Sequence, residues 1–156
     1  MTSLFSGEFL CKLDAKGRLM LPARLKNKLP KEHTRTLMLQ KSFDQCITIY
    51  PLVEFEKMIK RYENLDELDP EVREFERNFM RGIDEVEMDN NFRFLIPKKF
   101  QQALNLQKEV LVIGVRQRME IWNPETFESK YEVKDEQQFK DLSKRILEKK
   151  NQEKKG

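Results

Sequence analysis

Short apolar segments along the chain predict strands, and a helical pattern that begins near a proline follows each pair of them. The segments at residues 8–13 and 18–21 flank a turn-forming stretch, as expected of a tight hairpin or strand reversal. Pro22 stands where a helix can begin, and Leu25 and Leu29 lie one turn apart behind it. The pattern therefore predicts two strands joined by a turn, and then a short amphipathic helix.

The pattern continues with a second pair of strands and two amphipathic helices. Residues 36–39 and 46–50 are the strand segments, and Pro51 opens a helix whose apolar positions recur at helical spacing. After an acidic stretch, Asp69 is a predicted N-cap and Pro70 lies in the first turn of another helix. We predict that these two helices bridge two halves of the chain.

The surroundings of Asp14 return later in the chain. Residues 13–22 align with residues 88–97 at a constant offset of 75. The aligned pairs include an aspartate, an arginine and a proline from each copy: Asp14 with Asp89, Arg18 with Arg93, and Pro22 with Pro97. Residues 49–56 align with residues 121–128 at an offset of 72. This duplication predicts two similar halves related by pseudo-twofold symmetry.

The second half repeats the order of elements, and the predicted fold class is α+β. Strands are predicted at residues 85–88, 93–96, 109–115 and 118–122, with helices after Pro97 and Pro124 and a last helix over 135–150. The predicted divisions are a first repeat at 1–60, a helical bridge at 61–82, a second repeat at 83–131, and a C-terminal helix with its tail at 132–156. Residues 151–156 have nothing to bury and are predicted to be disordered.

The charge distribution is more informative than the net charge of +3. Residues 1–35 carry eight basic and three acidic side chains, whereas residues 54–76 carry four basic and nine acidic ones. A protein with one positive and one negative region suits a polyanion at one face only. No apolar run approaches the roughly 20 residues that a membrane span needs, so we expect a cytosolic protein.

Residue types that support catalysis or metal binding are scarce. The chain has two cysteines, Cys11 and Cys46, without CxxC spacing, and one histidine, His33. We predict buried free thiols rather than a disulfide, and a zinc site has too few soft ligands. No nucleophile can be paired with a base when His33 is the only imidazole. The sequence favours a non-enzymatic protein with no metal and no cofactor.

Two further groups of residues have a functional and a structural interpretation. The acidic residues around the second motif, Asp84, Glu85, Glu87 and Asp89, could form a metal or acid/base site, but a solvated strand face is favoured because no histidine accompanies them. Tyr50 and Trp122 occupy matching positions of the two halves. That match favours core or interface packing over stacking on single-stranded bases.

The repeated Asp-x-x-x-Arg motif is the strongest local signal. One copy would usually be an ion pair across a turn, but two copies, each followed by a proline at the same distance, indicate a shared architecture. Asp can hydrogen-bond the backbone of its own turn, and Gly17 can adopt positive φ without a Cβ penalty. We therefore predict five structural motif residues: Asp14, Gly17, Pro22, Asp89 and Pro97.

The ordered motifs resemble those of the MraZ family of bacterial transcriptional regulators over roughly Leu4 to Phe139. They are Phe5-x-Gly7, Leu13-Asp14-x-Lys16-Gly17-Arg18 with Pro22, Ile49-Tyr50-Pro51, and Asp89-x-x-x-Arg93 with Pro97. The resemblance implies two SpoVT-AbrB-like swapped-hairpin β units with short helices. It also implies that copies assemble into a ring, which binds repeated promoter boxes of the division and cell-wall gene cluster.

The second motif departs from the family pattern. Asn91 and Phe92 precede Arg93, where the family often has a glycine before the arginine. Because Asn tolerates a left-handed backbone, we expect the turn to survive.

The leading hypothesis is a cytoplasmic, nucleoid-associated repressor that binds double-stranded DNA as a homo-oligomer. The predicted DNA contacts are five basic residues: Lys12, Lys16, Arg18, Arg24 and Arg93. Lys12, Lys16 and Arg24 would contact phosphates, and Arg18 is the best candidate for a base edge. Arg93 is expected to act more as the partner of Asp89. The alternative is an oligomeric scaffold that binds an acidic protein partner; no membrane contact or small-molecule substrate is expected.

Overall fold

The structure is a computed structural model that describes residues 4–131 and 135–155. The chain divides into two compact units, Met1–Thr126 and Phe127–Gly156. The strands are β1 (Phe5–Lys12), β2 (Arg18–Met20), β3 (Thr36–Lys41), β4 (Ile47–Pro51), β5 (Ile83–Glu87), β6 (Arg93–Leu95), β7 (Glu109–Arg116) and β8 (Arg118–Trp122). The helices are α1 (Ala23–Lys26), α2 (Leu52–Ile59), α3 (Pro70–Arg81), α4 (Lys98–Ala103), α5 (Pro124–Lys130) and α6 (Glu136–Lys155), with a 3₁₀ turn at Lys60–Tyr62.

The strands of the first unit form a six-stranded antiparallel sheet and a two-stranded ribbon. The sheet order is β1-β7-β8-β4-β3-β5, and β2 pairs with β6 in the ribbon. The predicted pairs β3–β4 and β7–β8 are confirmed. The first strand of each half joins the other half, because β1 pairs with β7 and β5 pairs with β3. This exchange is the swapped-hairpin arrangement that the resemblance implied.

Both sheets contain facing residues that are repeat counterparts. In the ribbon, Leu19 faces Phe94, its counterpart at the offset of 75. In the large sheet, Thr48 faces Glu120, its counterpart at the offset of 72. The order of the large sheet shows the same symmetry. If β1 is exchanged with β5, β3 with β7 and β4 with β8, the order read backwards is identical to the original order. The α+β fold class with two pseudo-symmetric units is therefore confirmed.

Of the two alternatives predicted between the first two strands, the tight hairpin is wrong, and the chain reverses there through a turn without pairing the strands. The described residues of β1 and β2 form no ladder with each other. The lengths explain this, since a three-residue β2 cannot satisfy the backbone groups of an eight-residue β1. The eight-residue β7 pairs with β1 along its whole length, from Phe5 opposite Arg116 to Lys12 opposite Glu109.

The main hydrophobic core lies between the large sheet and the ribbon. Leu19 and Phe94 are buried on the inner side of the ribbon. Leu25 from α1 and Phe100 from α4 join the same cluster, which also contains Ile49 of the sheet. Strand side chains alternate between faces, so sheet residues adjacent to members of this cluster, such as Thr48 beside Ile49, point to the other face of the sheet.

The other face of the large sheet carries α2 and the 3₁₀ turn. Phe55 is buried there and meets the ring of Tyr50 edge-on, with centroids 6.1 Å apart. The rings of Tyr62, Phe75 and Phe79 have centroid distances of 5.0 to 5.5 Å, which joins α3 to the 3₁₀ turn. Trp122 is buried, as its predicted packing role requires.

The helix that was predicted from Asp69 and Pro70 is confirmed as α3. The side chain of Asp69 accepts a hydrogen bond from the backbone N–H of Glu71 at 2.9 Å, which caps the helix.

The divisions predicted between the first repeat, the helical bridge and the second repeat, at residues 60/61 and 82/83, stay a prediction. Strands of both halves share one sheet, so the sheet itself marks no boundary between them.

The second unit contains α6, which is longer than predicted. Asp135 caps it through a hydrogen bond from the backbone N–H of Gln138 to Oδ1 at 2.7 Å. The prediction of disorder from residue 151 onward is wrong as far as Lys155, where α6 ends. Lys, Glu and Gln are good helix formers, and extending an existing helix avoids the cost of nucleation. Residues 1–3, 132–134 and 156, which the predicted divisions include, lie outside the described residues.

Candidate nucleic-acid interface

The first turn is built around the carboxylate of Asp14. Its Oδ1 accepts hydrogen bonds from the backbone N–H groups of Lys16 and Arg18, both at 2.9 Å. Its Oδ2 accepts one from Nε of Arg18 at 2.6 Å, which is also an ion pair. The backbone N–H of Gly17 closes the turn on the carbonyl of Asp14 at 3.0 Å. The carboxylate therefore fixes both the turn and the direction of the Arg18 side chain.

The second turn has the same contacts. Oδ1 of Asp89 accepts from the backbone N–H groups of Asn91 and Arg93 at 2.8 and 3.0 Å. Oδ2 of Asp89 accepts from Nε of Arg93 at 3.1 Å. The architectural role of the two aspartates stays a prediction, and these matching contacts support it.

The residue before each arginine has a left-handed backbone. Gly17 has a φ of +83° and Phe92 a φ of +59°. The expectation that Asn91 would supply the left-handed residue is wrong, because Phe92 holds the position that matches Gly17. A left-handed backbone costs a residue with a Cβ atom about 1 to 2 kcal/mol. Packing of the Phe92 ring against the core, with Nζ of Lys26 4.6 Å from its centroid, offsets this cost.

The two turns also extend the ribbon. The carbonyl of Gly17 accepts a hydrogen bond from the backbone N–H of Ile96 at 3.2 Å. In the other half, the carbonyl of Phe92 accepts one from the backbone N–H of Leu21 at 3.1 Å. Each turn is therefore hydrogen-bonded to the residue that directly follows the ribbon strand of the other half, so the two turns lie at opposite ends of the ribbon.

The two motif arginines lie on the same face of this ribbon. Arg18 faces Leu95, and Met20 faces Arg93. Facing residues of an antiparallel pair share one side of the sheet, and the buried Leu19 occupies the opposite side. Diagonal neighbours of such a pair are about 7 to 8 Å apart. We call the surface formed by Arg18, Met20, Arg93 and Leu95 the ribbon face; both halves contribute to it.

The other three predicted DNA contacts are divided between two places. Lys12 ends β1 and Lys16 lies in the first turn, and both are exposed beside Arg18 in the chain. Arg24 lies on α1, where its Nη2 donates to Oγ of Ser6 at 3.5 Å. Ser6 and Lys12 are six residues apart on one strand, which is about 20 Å. Arg24 is therefore near the other end of β1.

Sequence analysis missed Met20 and Leu95 as members of the ribbon face. They are exposed by 58% and 51%, and each is the repeat counterpart of the other. Strand alternation around Leu19 could have placed Met20 beside Arg18. No local signal could have placed Arg93 with them, because that requires the pairing of β2 with β6.

Hydrogen bonding lowers the pKa of both motif aspartates. The pKa of Asp14 lies below its ordinary value mainly because the backbone N–H of Arg18 donates to the carboxylate, with the Arg18 side chain and the N–H of Lys16 adding to the effect. The pKa of Asp89 is lowered in the same way, first by the backbone N–H of Arg93. Both carboxylates are therefore ionised at neutral pH, and each turn favours the charged form.

We expect Asp14→Asn to be less stable than the parent at pH 7 and to lose less stability on acidification. Asn keeps an oxygen for the backbone N–H groups but has no charge for Arg18. A lowered folded-state pKa stabilises the protein above the unfolded pKa of about 3.9, and this contribution is lost as pH falls through the folded-state value. Urea denaturation at pH 7 and pH 3 measures both effects. Asp44→Asn, which changes an exposed carboxyl group, is the control; equal losses of stability on acidification in the parent and Asp14→Asn would contradict the prediction.

Both cysteines are free thiols, as predicted. Cys46 is buried, and burial raises the pKa of its thiol to about 12. Cys11 is only half-buried, so the prediction of a buried thiol is wrong for this residue, although burial raises the pKa of its thiol as well. Since the thiolate is the reactive form, neither side chain is activated as a nucleophile.

The acidic residues near the second motif do not converge. Glu85 and Glu87 are exposed along β5, as predicted for a solvated strand face. Asp84 instead pairs with Lys99, whose Nζ lies 3.0 Å from Oδ2. Within residues 4–131 and 135–155, no group of three or more His, Cys, Asp or Glu side chains is arranged to hold a metal ion.

None of the helices that the structure describes combines the length and the apolar character that a bilayer span requires.

Comparison with known proteins gives consistent matches. The family model of the MraZ protein, described as antitoxin-like, matches residues 4–78 and again residues 79–150. A transcriptional regulator MraZ of Cytophaga hutchinsonii is 42% identical over 143 residues, which cover 92% of this chain and 94% of the relative. The proteins of the same name from Alcanivorax borkumensis and Natranaerobius thermophilus are 36% and 32% identical, over 80% and 92% of this chain and 86% and 97% of their own lengths. With both halves matched by the family model and these relatives aligned over most of their length, the chain belongs to the MraZ family.

Proposed function

We propose that this protein is a sequence-specific DNA-binding transcriptional regulator that represses from repeated promoter boxes of the division and cell-wall gene cluster. The observation that carries the proposal is the ribbon face, where Arg18 and Arg93 are diagonal neighbours on one side of the ribbon and each is oriented by its own aspartate. The names of the relatives, transcriptional regulator MraZ, support the regulatory role.

The ribbon face suits the major groove of DNA. A two-stranded β-ribbon fits the width of that groove, and arginine can donate two hydrogen bonds to O6 and N7 of guanine. Nε of Arg18 donates to Asp14, so the two terminal nitrogens of the guanidinium group are the donors left for a guanine base. Arg93 is held in the same way by Asp89. Fixing a long side chain before binding reduces the entropy that binding would otherwise cost.

The remaining basic residues fit phosphate contacts. Lys12 and Lys16 are exposed close to the Arg18 turn, where they would lie over the backbone flanking the groove. Arg24 is near the other end of β1 and would contact phosphates farther along the duplex. These contacts position the protein without reading sequence, and they make binding depend on salt.

We further propose that copies of the chain form a ring on tandem boxes, associated with the nucleoid in the cytoplasm. One ribbon reads only a few base pairs, so a single subunit would bind weakly. Several ribbons presented by one ring would gain affinity through effective concentration.

The test is a mobility shift with the DNA upstream of the protein's own coding region and with scrambled DNA of equal length. We expect preference for the upstream DNA and, by light scattering, a mass several times the 18.8 kDa of one chain. Equal binding to both DNA molecules contradicts sequence-specific regulation, and a monomer contradicts the ring. An oligomer that binds neither DNA favours the scaffold alternative.

A further inference from the structure

A recess with a volume of about 420 Å³ opens on the face of the large sheet that lies away from the ribbon. It is bounded by α2 and the 3₁₀ turn on one side and by the turn between β7 and β8 on the other. Its main polar residues are Tyr50, Glu54, Lys57, Arg61, Arg116 and Arg118. Tyr50 and Arg118 alternate with the core residues Ile49 and Met119 along their strands, which places the recess and the ribbon face on opposite sides of the sheet.

The recess has more positive charge than its own carboxylates can neutralise. Lys57 pairs with Glu54 at 3.4 Å, and Arg118 pairs with Glu120 at 3.6 Å, both at the long end of ion-pair distances. Among the described residues, the structure records no ion pair for Arg61 or Arg116. Two guanidinium groups therefore border a concave surface without an anionic partner from this part of the chain.

Arg116 has a strained backbone. Its φ is +63°, and it is the first of the two residues that connect Val115 to its partner Arg118. Glycine is preferred at that position of a two-residue turn because it adopts positive φ without a Cβ penalty. Strain of this kind persists only where the surrounding structure enforces it, and it is enriched at ligand sites. Here the strained residue is an arginine at the border of the recess.

Tyr50 adds a neutral donor. Burial raises the pKa of its hydroxyl group, and the positive charges of Arg118 and Arg61 oppose that effect. The hydroxyl group is therefore protonated at neutral pH and lies within the electrostatic influence of both guanidinium groups. A protonated phenol can donate a hydrogen bond to an anion that the arginines attract.

The recess is not duplicated, although the DNA-binding motif is. At the offset of 72, the counterparts of Arg116 and Arg118 are Asp44 and Cys46. The first-half positions thus hold an acid and a thiol where the second half holds two arginines. The recess thus differs from the ribbon face, to which both halves contribute.

We propose that this recess binds a phosphorylated small molecule. Arginine forks bind phosphate oxygens through paired, charge-assisted hydrogen bonds, and the volume lies within the range of about 300 to 1,000 Å³ that is typical of small-ligand sites. A rigid duplex that lies along the ribbon face cannot reach the opposite side of the sheet. The site is independent of the proposed DNA binding and gives the protein a place for an anionic effector.

The test measures the melting temperature of the full chain with sodium pyrophosphate or AMP, with sodium chloride as the control at equal ionic strength. We expect both phosphate compounds, but not chloride, to raise the melting temperature of the parent. The variant Arg61→Gln with Arg116→Gln removes two charges from the recess and should bind at least about tenfold more weakly, since one charge-assisted hydrogen bond is worth that factor.

The matched control is Lys60→Gln with Arg77→Gln. It removes the same charge from exposed residues of the 3₁₀ turn and α3 outside the recess, and it should respond to both compounds like the parent. The proposal is overturned if the parent shows no shift, or if the control loses as much binding as the recess variant. It is also overturned if the recess variant loses affinity for duplex DNA, because the recess would then belong to the DNA interface.

Discussion

Replacing both motif arginines, Arg18→Ala with Arg93→Ala, should abolish preference for the promoter DNA while leaving the fold intact. A good bidentate contact contributes about 1 to 3 kcal/mol of base discrimination. The double variant should therefore lose about 2 to 6 kcal/mol per engaged subunit, a factor of about 30 even at the lower end. A ring would multiply this loss across its bound subunits. The measurement is the affinity for promoter and scrambled DNA over a salt series, with oligomer mass determined in parallel.

The single variants would separate the proposed base contacts from the proposed phosphate contacts. Arg18→Ala and Arg93→Ala should weaken promoter binding to a similar extent, because each side chain has the same anchor on the same ribbon. Lys16→Ala should instead weaken binding to every sequence and reduce the salt dependence. The control is Arg77→Ala with Lys60→Ala, which removes equal charge elsewhere. Should the double arginine variant bind the promoter like the parent while still assembled, the ribbon face is not the reading surface.

Phe94→Ala should destabilise the protein more than any other single change discussed above. The side chain is 1% exposed and faces its counterpart Leu19 at the centre of the core. Replacing such a phenylalanine by alanine costs about 3 to 5 kcal/mol, out of a typical total of about 5 to 15 kcal/mol. Urea denaturation at neutral pH measures the loss.

The adjacent Leu95→Ala is the matched control for Phe94→Ala. Leu95 is 51% exposed on the outer face of the same strand, so its replacement should change stability by less than about 0.5 kcal/mol. Both variants shorten an apolar side chain of β6 and differ mainly in the face they occupy. Equal stability losses in the two variants would show that the ribbon does not have the buried and exposed faces described here.

The elements that were predicted correctly from the sequence are those that depend on local patterns. Alternation gave the pairs β3–β4 and β7–β8, and Asp69 followed by Pro70 marked the start of α3. The duplication gave the symmetry, because it appears as a constant spacing in the sequence. The length of α6 was underestimated because apolar spacing ends before the helix does.

The strand pairings that join the two halves, and the arginine surface that depends on one of them, could not be predicted in the same way. The pairing of β1 with β7 depends on which distant strand matches its length, a choice that no local pattern encodes. The sequence favoured a dominant role for Arg18, because Gly17 and Lys16 stand beside it whereas Phe92 precedes Arg93. The register of β2 against β6 changes that expectation, since it gives both arginines the same surface and the same support.

The exchange of first strands between the halves makes each half an incomplete folding unit. If the exposed connection at residues 63–69 were cut, each fragment would carry a strand whose partner lies in the other fragment. The fragments should therefore fold by complementation, and only when mixed. The intact connection keeps them at a high effective concentration, and doubling its length should cost only about 0.6 kcal/mol. A foreign peptide or small domain inserted into residues 63–69 should therefore leave the two halves able to fold together.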